Sequence, residues 1–295
     1  MVLAELSMTA QAVIFMAALG IALAVMLALA NKYLWVWEDP RVNEVEELLP
    51  ATNCGACGQA GCRAFAEALV ENRAEPAQCT VSPREAIEEI AATLGVEAGQ
   101  AEKRIAMLAC AGGSNVARMR AHYEGVETCR AAAVVGGGPK MCTWGCIGLA
   151  DCARVCDFDA IAMNRFGLPV VDAEKCTACG DCVEICPKDL FSLHPVSHHL
   201  WVACRSLLHG EEALAECAVA CDGCGRCAKD APQGLIEMKD NLPVIDYRLN
   251  HLATPDIIQR CPTGAIVWRD DEKGRIMHGR GAKKIIRKRP LPLDS

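Results

Sequence analysis

Aromatic side chains make up only 4% of this 295-residue chain: five phenylalanines, five tryptophans and three tyrosines. The chain is long enough for two or three small domains, but bulky residues cannot by themselves fill their cores. No G-x-G-x-x-G follows a strand-like run, so no dinucleotide site is evident, and there is no P-loop and no Ser-His-Asp pattern. No basic face interleaved with aromatics appears either, so nucleic acid is not an expected partner. The triple glycine at 136–138 before Pro139 reads as a flexible turn. Charge is missing altogether from residues 10–30, AQAVIFMAALGIALAVMLALA.

That uncharged run is long enough to cross a hydrocarbon core of about 30 Å at about 1.5 Å per residue. A cleaved signal peptide is the rival reading. Against it stand the absence of any Lys or Arg before the run and an apolar stretch longer than the usual signal core. Lys32 and Arg41 follow the run, whereas Glu5 precedes it. The positive-inside rule therefore places the body of a single-pass protein on the cytoplasmic side of the inner membrane. Tyr33, Trp35 and Trp37 sit at the exit, where amphipathic rings favour the headgroup level. Net charge is −7, yet residues 275–295 carry seven basic side chains against Asp294. This basic tail reads as a solvated terminus, or as a contact for anionic lipid or an acidic partner.

What is abundant is cysteine, twenty in all. Cysteine at this density means either a secreted disulfide scaffold or intracellular metal sites, and close C-x2-C spacings favour metal. A first group is Cys54, Cys57, Cys62 and Cys79, in NCGACGQAGCRAFAEALVEN and AQC. Three thiols from one glycine-rich loop and a remote fourth suit a cubane iron–sulfur cluster better than a zinc knuckle. A helix then follows in SPREAIEEIAATLG, with Ser82 as N-cap, Pro83 at N1 and Gly95 as its stop. From Ile105 the pattern turns strand-like, IAMLAC.

A second group is the strongest signal. Cys176, Cys179, Cys182 and Cys186 with Pro187 reproduce C-x2-C-x2-C-x3-C-P, in which the fourth thiol ligates the neighbouring cluster. The partner set is Cys142, Cys146, Cys152 and Cys156. Crossing the fourth ligands predicts one cluster on Cys142, Cys146, Cys152 and Cys186, and another on Cys156, Cys176, Cys179 and Cys182. A third group, Cys221, Cys224, Cys227 and Cys261, has the same form with one site abandoned. Ala231, His251, Thr254 and Ile257 stand where the four ligands of its companion cluster would be. Cys110, Cys129, Cys204 and Cys217 remain, and read as structural thiols or local pairs, with a fifth cluster on all four as the alternative. LWVAC before Cys204 resembles IAMLAC before Cys110, so the region repeats. HPVSHH, with His194, His198 and His199, reads as an exposed loop.

Fully Cys-ligated cubanes leave no open iron for substrate, which favours electron transfer over turnover. The fold class is α+β: an N-terminal transmembrane helix (1–37), a small helical Fes-type 4Fe-4S domain (38–100), a bacterial-ferredoxin-like βαβ module with two clusters (101–200), a degenerate module with one (201–270) and a basic tail (271–295).

In NCGACGQAGCRAFAEAL, CTWGCIGLADCARVC, CTACGDCVEICP and the run from CDGCGRC to RCPTGAI, the chain resembles the B-subunit family of the Rnf membrane complex, in its longer, multi-cluster form. The resemblance implies an electron-transfer subunit of an ion-translocating ferredoxin:NAD oxidoreductase. In that family the subunit takes electrons from soluble ferredoxin, while NAD and flavin sit on other membrane partners. Four 4Fe-4S clusters follow from the ligand count. A related system that reduces an iron–sulfur regulator, or another membrane quinone or disulfide reductase, is the alternative.

Overall fold

A computed structural model describes residues 8–33, 39–100, 102–270, 275–282 and 291. Trp35 and Trp37 lie outside the described residues. Helix α1 (Met8–Tyr33) runs 26 residues, about 39 Å at 1.5 Å per residue. From Ala10 to Tyr33 it is long and apolar enough to cross a membrane. Val13, Phe15, Ile21 and Leu27 are all exposed on it, as a helix without a protein partner on any side requires.

Helices α2 (Pro40–Leu48), α3 (Cys62–Val70) and α4 (Arg84–Leu94) form the next unit. Asp39 caps α2, its carboxylate accepting from Arg41 N–H at 2.9 Å. Val42, Val45 and Leu49 repeat at helical spacing and meet Phe65, Leu69 and Ile90 in one buried cluster. Gly95 ends α4 in the left-handed region at φ 68°, the conformation a glycine stop supplies. The start of α4 differs from expectation, since Pro83 takes the capping position with no side-chain cap. Ser82 is instead occupied with a thiol, as described below.

Two units of like design follow. In the first, β1 (Arg104–Leu108) leads, and α5 (Cys129–Val134) and α6 (Asp151–Arg154) come before the hairpin of β2 (Ile161–Met163) and β3 (Pro169–Val171). Helix α7 (Asp181–Glu184) then leads to β4 (Phe191–Pro195). That strand returns antiparallel to β1, with Leu108 opposite Phe191 and Arg104 opposite Pro195. In the second, β5 (Leu200–Val202) leads, then α8 (Gly210–Glu216) and α9 (Arg226–Asp230). The hairpin of β6 (Ile236–Lys239) and β7 (Leu242–Ile245) follows, and β8 (Ile266–Arg269) closes antiparallel on β5. Strand β9 (Ile276–His278) adds to β8, so the first residues of the basic terminus are folded. The units share a core in which Trp201 and Val267 join Ile105, Met107 and Phe191.

The second unit has two 3-10 turns, Tyr247–Leu252 and Pro255–Ile258, where the first has α7. These turns occupy the abandoned cluster positions. His251 and Thr254 are exposed, while Ile257 and Ile258 are each 1% exposed and pack with Leu235, Leu249 and Ala231. Apolar side chains thus fill the space where a cluster would stand.

HPVSHH is a loop only in part: His194 and Pro195 end β4, residues 196–199 form the turn after it, and none of the three histidines is exposed. His194 lies on β4 opposite Ile105, its ring edge-on to Trp201 at 4.8 Å. His198 stacks on Tyr247 at 4.0 Å. Burial pushes the His194 imidazole down to about 4, so it is a neutral packing group near neutral pH.

Removing the Ile257 side chain with Ile257→Ala should cost about 2–5 kcal/mol, as for other large-to-small changes in a filled core. A fall in the denaturant midpoint followed by far-UV circular dichroism checks this, and an unchanged midpoint would show that the site is loosely packed.

Candidate metal centres

Cys54, Cys57 and Cys62 come from one turn, and Cys79 returns beyond α3. Gly55 and Gly58 bend that turn through the left-handed region at φ 70° and 83°, where glycine has no steric penalty. Asn53 Oδ1 accepts from Cys62 N–H at 2.8 Å, and Ser82 Oγ donates to Cys79 Sγ at 3.1 Å. The four cysteines line one pocket.

Cys156, Cys176, Cys179 and Cys182 line a second pocket together. Ala106 N–H donates to Cys176 Sγ at 3.5 Å, a link from β1 to this set. Burial pushes the Cys182 thiol up to about 12, and the neighbouring charges of Cys176 and Cys179 add to the shift.

The next set departs from expectation. Cys146, Cys152 and Cys186 line one pocket, but their fourth companion is Cys129, not Cys142. Asp151 Oδ2 accepts from Arg130 N–H at 3.2 Å, and Arg154 Nη2 donates to Glu127 C=O at 2.7 Å. These bonds seat the start of α5 against α6, so Cys129 reaches Cys152. Cys142 and Cys146 are parted by a turn closed from Gly145 N–H to Cys142 C=O at 3.2 Å. Cys142 therefore enters a different pocket, lined also by Cys110, Cys204 and Cys217. The four remaining thiols are thus not Cys110, Cys129, Cys204 and Cys217, because Cys142 and Cys129 exchange places. The sequence marks only an irregularity, since C-x3-C at Cys142 and Cys146 breaks the C-x2-C rhythm without showing which thiol takes the place of Cys142.

Cys221, Cys224, Cys227 and Cys261 gather in the second unit. Burial pushes Cys221 up to about 12 and Cys227 up to about 11; the charges of Cys204, Cys227 and Cys261 add to the first shift, and those of Cys261 and Cys224 to the second. Cys261 Sγ lies 3.8 Å from Thr263 Oγ1.

These donor sets fit a cluster. A single zinc ion would draw its sulfurs to about 2.3 Å from the metal, about 3.8 Å from one another. Among the described residues no group of three or more such side chains is arranged to hold a single metal ion. All twenty cysteines are free of disulfide bonds. Buried thiols ionise with difficulty, so binding iron must release their protons and offset the cost of burial. Three residues with a part in these sites escape sequence reading: Asn53 and Ser82 at the first set, and Lys140 beside the void that holds Cys142.

Comparison with known proteins agrees with the geometry. The FeS family model, an Fe-S cluster family, matches residues 49–81, and the 4Fe-4S binding domain family matches residues 168–191. Over 267 residues the chain is 37% identical to the B subunit of the Na(+)-translocating ferredoxin:NAD(+) oxidoreductase complex of Acetobacterium woodii, covering 90% of this chain and 78% of the relative. It is 37% identical to the B subunit of the ion-translocating oxidoreductase complex of Methanosarcina acetivorans, over 86% of this chain and 96% of the relative. It is also 38% identical to the B subunit of the proton-translocating ferredoxin:NAD(+) oxidoreductase complex of Clostridium ljungdahlii, over 86% and 90%. With such identity sustained over most of its length, the chain belongs to the family of B subunits of ion-translocating (Rnf) oxidoreductase complexes.

Proposed function

We propose that the chain is the membrane-anchored electron-transfer subunit of a ferredoxin:NAD oxidoreductase complex, accepting electrons from reduced ferredoxin and passing them to membrane partner subunits. The observation that carries this reading is the grouping of buried and half-buried thiols in fours, each four lining one pocket, in a chain that also bears a helix of membrane-spanning length. Cys54, Cys57, Cys62 and Cys79 would hold one 4Fe-4S cluster. Cys156, Cys176, Cys179 and Cys182 would hold a second; Cys129, Cys146, Cys152 and Cys186 a third; and Cys221, Cys224, Cys227 and Cys261 a fourth. Such a cluster supplies one-electron chemistry at a potential that hydrogen bonds to sulfur and burial adjust. The chain's own part is to hold the thiolates, to aim Ser82 Oγ–H and the Ala106 N–H at sulfur, and to keep water out. Turnover of NAD belongs, on this reading, to flavin- and NAD-binding partners.

α1 anchors the chain in the inner membrane with its body on the cytoplasmic side, and the helical unit next to it in sequence is the exit toward membrane partners. Thr80 Oγ1 donates to Thr177 C=O at 2.6 Å, which joins the exit unit to the loop between Cys176 and Cys179. Ferredoxin docks at the C-terminal unit. Lys283, Lys284, Arg287, Lys288 and Arg289 follow that unit in sequence, outside the described residues, against one acidic residue, Asp294, a charge balance that steers acidic partners.

Three measurements test this reading. Cys129→Ser and Cys186→Ser should each abolish the same EPR signal, and Cys142→Ser should leave it; the reverse for Cys129 and Cys142 would restore the ligand set read from spacing alone. Cys57→Ala should leave the other clusters reducible by ferredoxin while transfer to the membrane partners stops, as read by single-turnover spectroscopy in the assembled complex. Truncation after Ala282, which spares β9, should slow ferredoxin oxidation several-fold at low salt and little at high salt, and equal rates at both would remove the docking assignment.

A further inference from the structure

We propose that Thr80 is the residue across which electrons pass between the thiol set of the helical unit and the set of Cys156, Cys176, Cys179 and Cys182. This rests on the reading above that both sets hold 4Fe-4S clusters, and it adds a positioning residue for transfer between them.

Thr80 and Thr177 each stand directly after a cysteine of these sets, Cys79 and Cys176. Thr80 Oγ1–H donates to Thr177 C=O at 2.6 Å, a good length for an O–H···O bond. Among the described residues no other hydrogen bond or ion pair joins residues 39–100 to residues 102–270. One hydroxyl thus completes a path from sulfur to sulfur made of two cysteines, two threonines and a single hydrogen bond.

Both ends of the bond are prepared locally. Of residues 79–82, Thr80 alone is exposed. Cys79 N–H donates to Pro76 C=O at 3.2 Å, Val81 packs against the core of the helical unit, and Ser82 Oγ donates back to Cys79 Sγ at 3.1 Å. The side chain of Thr80 is the one left to reach outward. On the far side Cys176 N–H donates to Asp172 C=O at 3.0 Å, and Ala178 takes the left-handed region at φ 59°, which reverses the loop just past Thr177. No backbone N–H among the described residues donates to the Thr177 carbonyl. Thr80 supplies the partner that this peptide oxygen requires.

Around the bond lies a gap. Cys79, Ser82 and Arg84 on one side, and Lys103, Arg104 and Cys176 on the other, line a cleft of about 520 Å³. Its charged walls favour water. An electron crossing solvent meets a higher barrier than one moving along covalent and hydrogen bonds, so its transfer rate falls more steeply with distance there. Thr177 carries the bonded path onward. It lines the pocket of Cys156, Cys176, Cys179 and Cys182, and its own Oγ1 is buried without a hydrogen-bond partner, a costly state that an acceptor within the pocket relieves.

The Thr80 bond is exposed, and water competes for both of its groups, so it adds little to stability. Its effect falls on transfer rather than on folding. The electron leaves a reduced cluster in one set and reduces the oxidised cluster in the other, and the Thr80 hydroxyl keeps its proton throughout.

The test uses the full chain purified without oxygen, as wild type, as Thr80→Val, which keeps the shape of the side chain without its hydroxyl, and as Thr80→Ser, which restores the hydroxyl. Flash photoreduction delivers a single electron, and freeze-quench EPR follows its redistribution between the two signals. Midpoints and the dipolar coupling between the two centres are measured on the same samples. Thr80→Val should slow the redistribution several-fold with midpoints and coupling unchanged, and Thr80→Ser should recover the wild-type rate. A Thr80→Val rate equal to wild type overturns the inference, as does a Thr80→Ser rate as slow as that of Thr80→Val. A slow rate accompanied by weaker coupling also overturns it, because the hydroxyl is then only a tether between the units. These results leave both clusters in place, whereas wild-type protein that lacks either EPR signal overturns the underlying reading instead.

Discussion

A thiolate buried among alanine and isoleucine side chains is untenable until something shares its charge. Such groups recur in each core of this protein: Cys79 lies in that of the helical unit, Cys152, Cys176 and Cys182 in that of the first strand-containing unit, and Cys221 and Cys261 in that of the second. Burial pushes several of these thiols up to about 12, so the polypeptide alone would hold them protonated around empty space. Inorganic clusters solve both problems, neutralising charge and filling volume. This explains how a chain with 4% aromatic residues sustains three cores.

The connections between units follow from the same economy of space. Trp201 donates its indole N–H to Leu108 C=O, which welds the two repeated units along their lead strands. Thr80 reaches the loop of Cys176 through one hydroxyl. Each contact is made by a residue next to a cysteine or at the end of a strand that delivers one, so the contacts that hold the units together also bring the candidate centres close. In an electron-transfer protein, packing and conduction are then served by the same few bonds.

Much of this was legible in the sequence. The motif around Cys176 to Pro187 fixes its own set because C-x2-C-x2-C leaves a short loop no other way to place three thiols. The missing ligand at Ala231 was legible as one member of a lost quartet, and buried Ile257 shows what replaced it. The apolar run at 10–30 announced its own helix. What sequence spacing could not reveal was the partition of Cys129 and Cys142. It depends on a bond from Arg130 N–H to Asp151 and on a turn at Gly145, and both are tertiary or local geometry with no periodic trace. Ser82 was read as a helix cap because Ser-Pro before an amphipathic run usually is one; here the hydroxyl finds a sulfur acceptor first. His194 and His198 looked like loop residues because nothing local shows that Trp201 and Tyr247 will close over them.

The filling of the vacated site by Ile257 and Ile258 has an effect on traffic. A terminal redox group flanked by a second one could share its electron sideways and let it linger. With hydrocarbon in that position, a centre held by Cys221, Cys224, Cys227 and Cys261 would have no companion beside it within its own unit. On the function proposed above, charge arriving there would have only one onward direction, and the chain would be a single-file queue whose entrance has no side room.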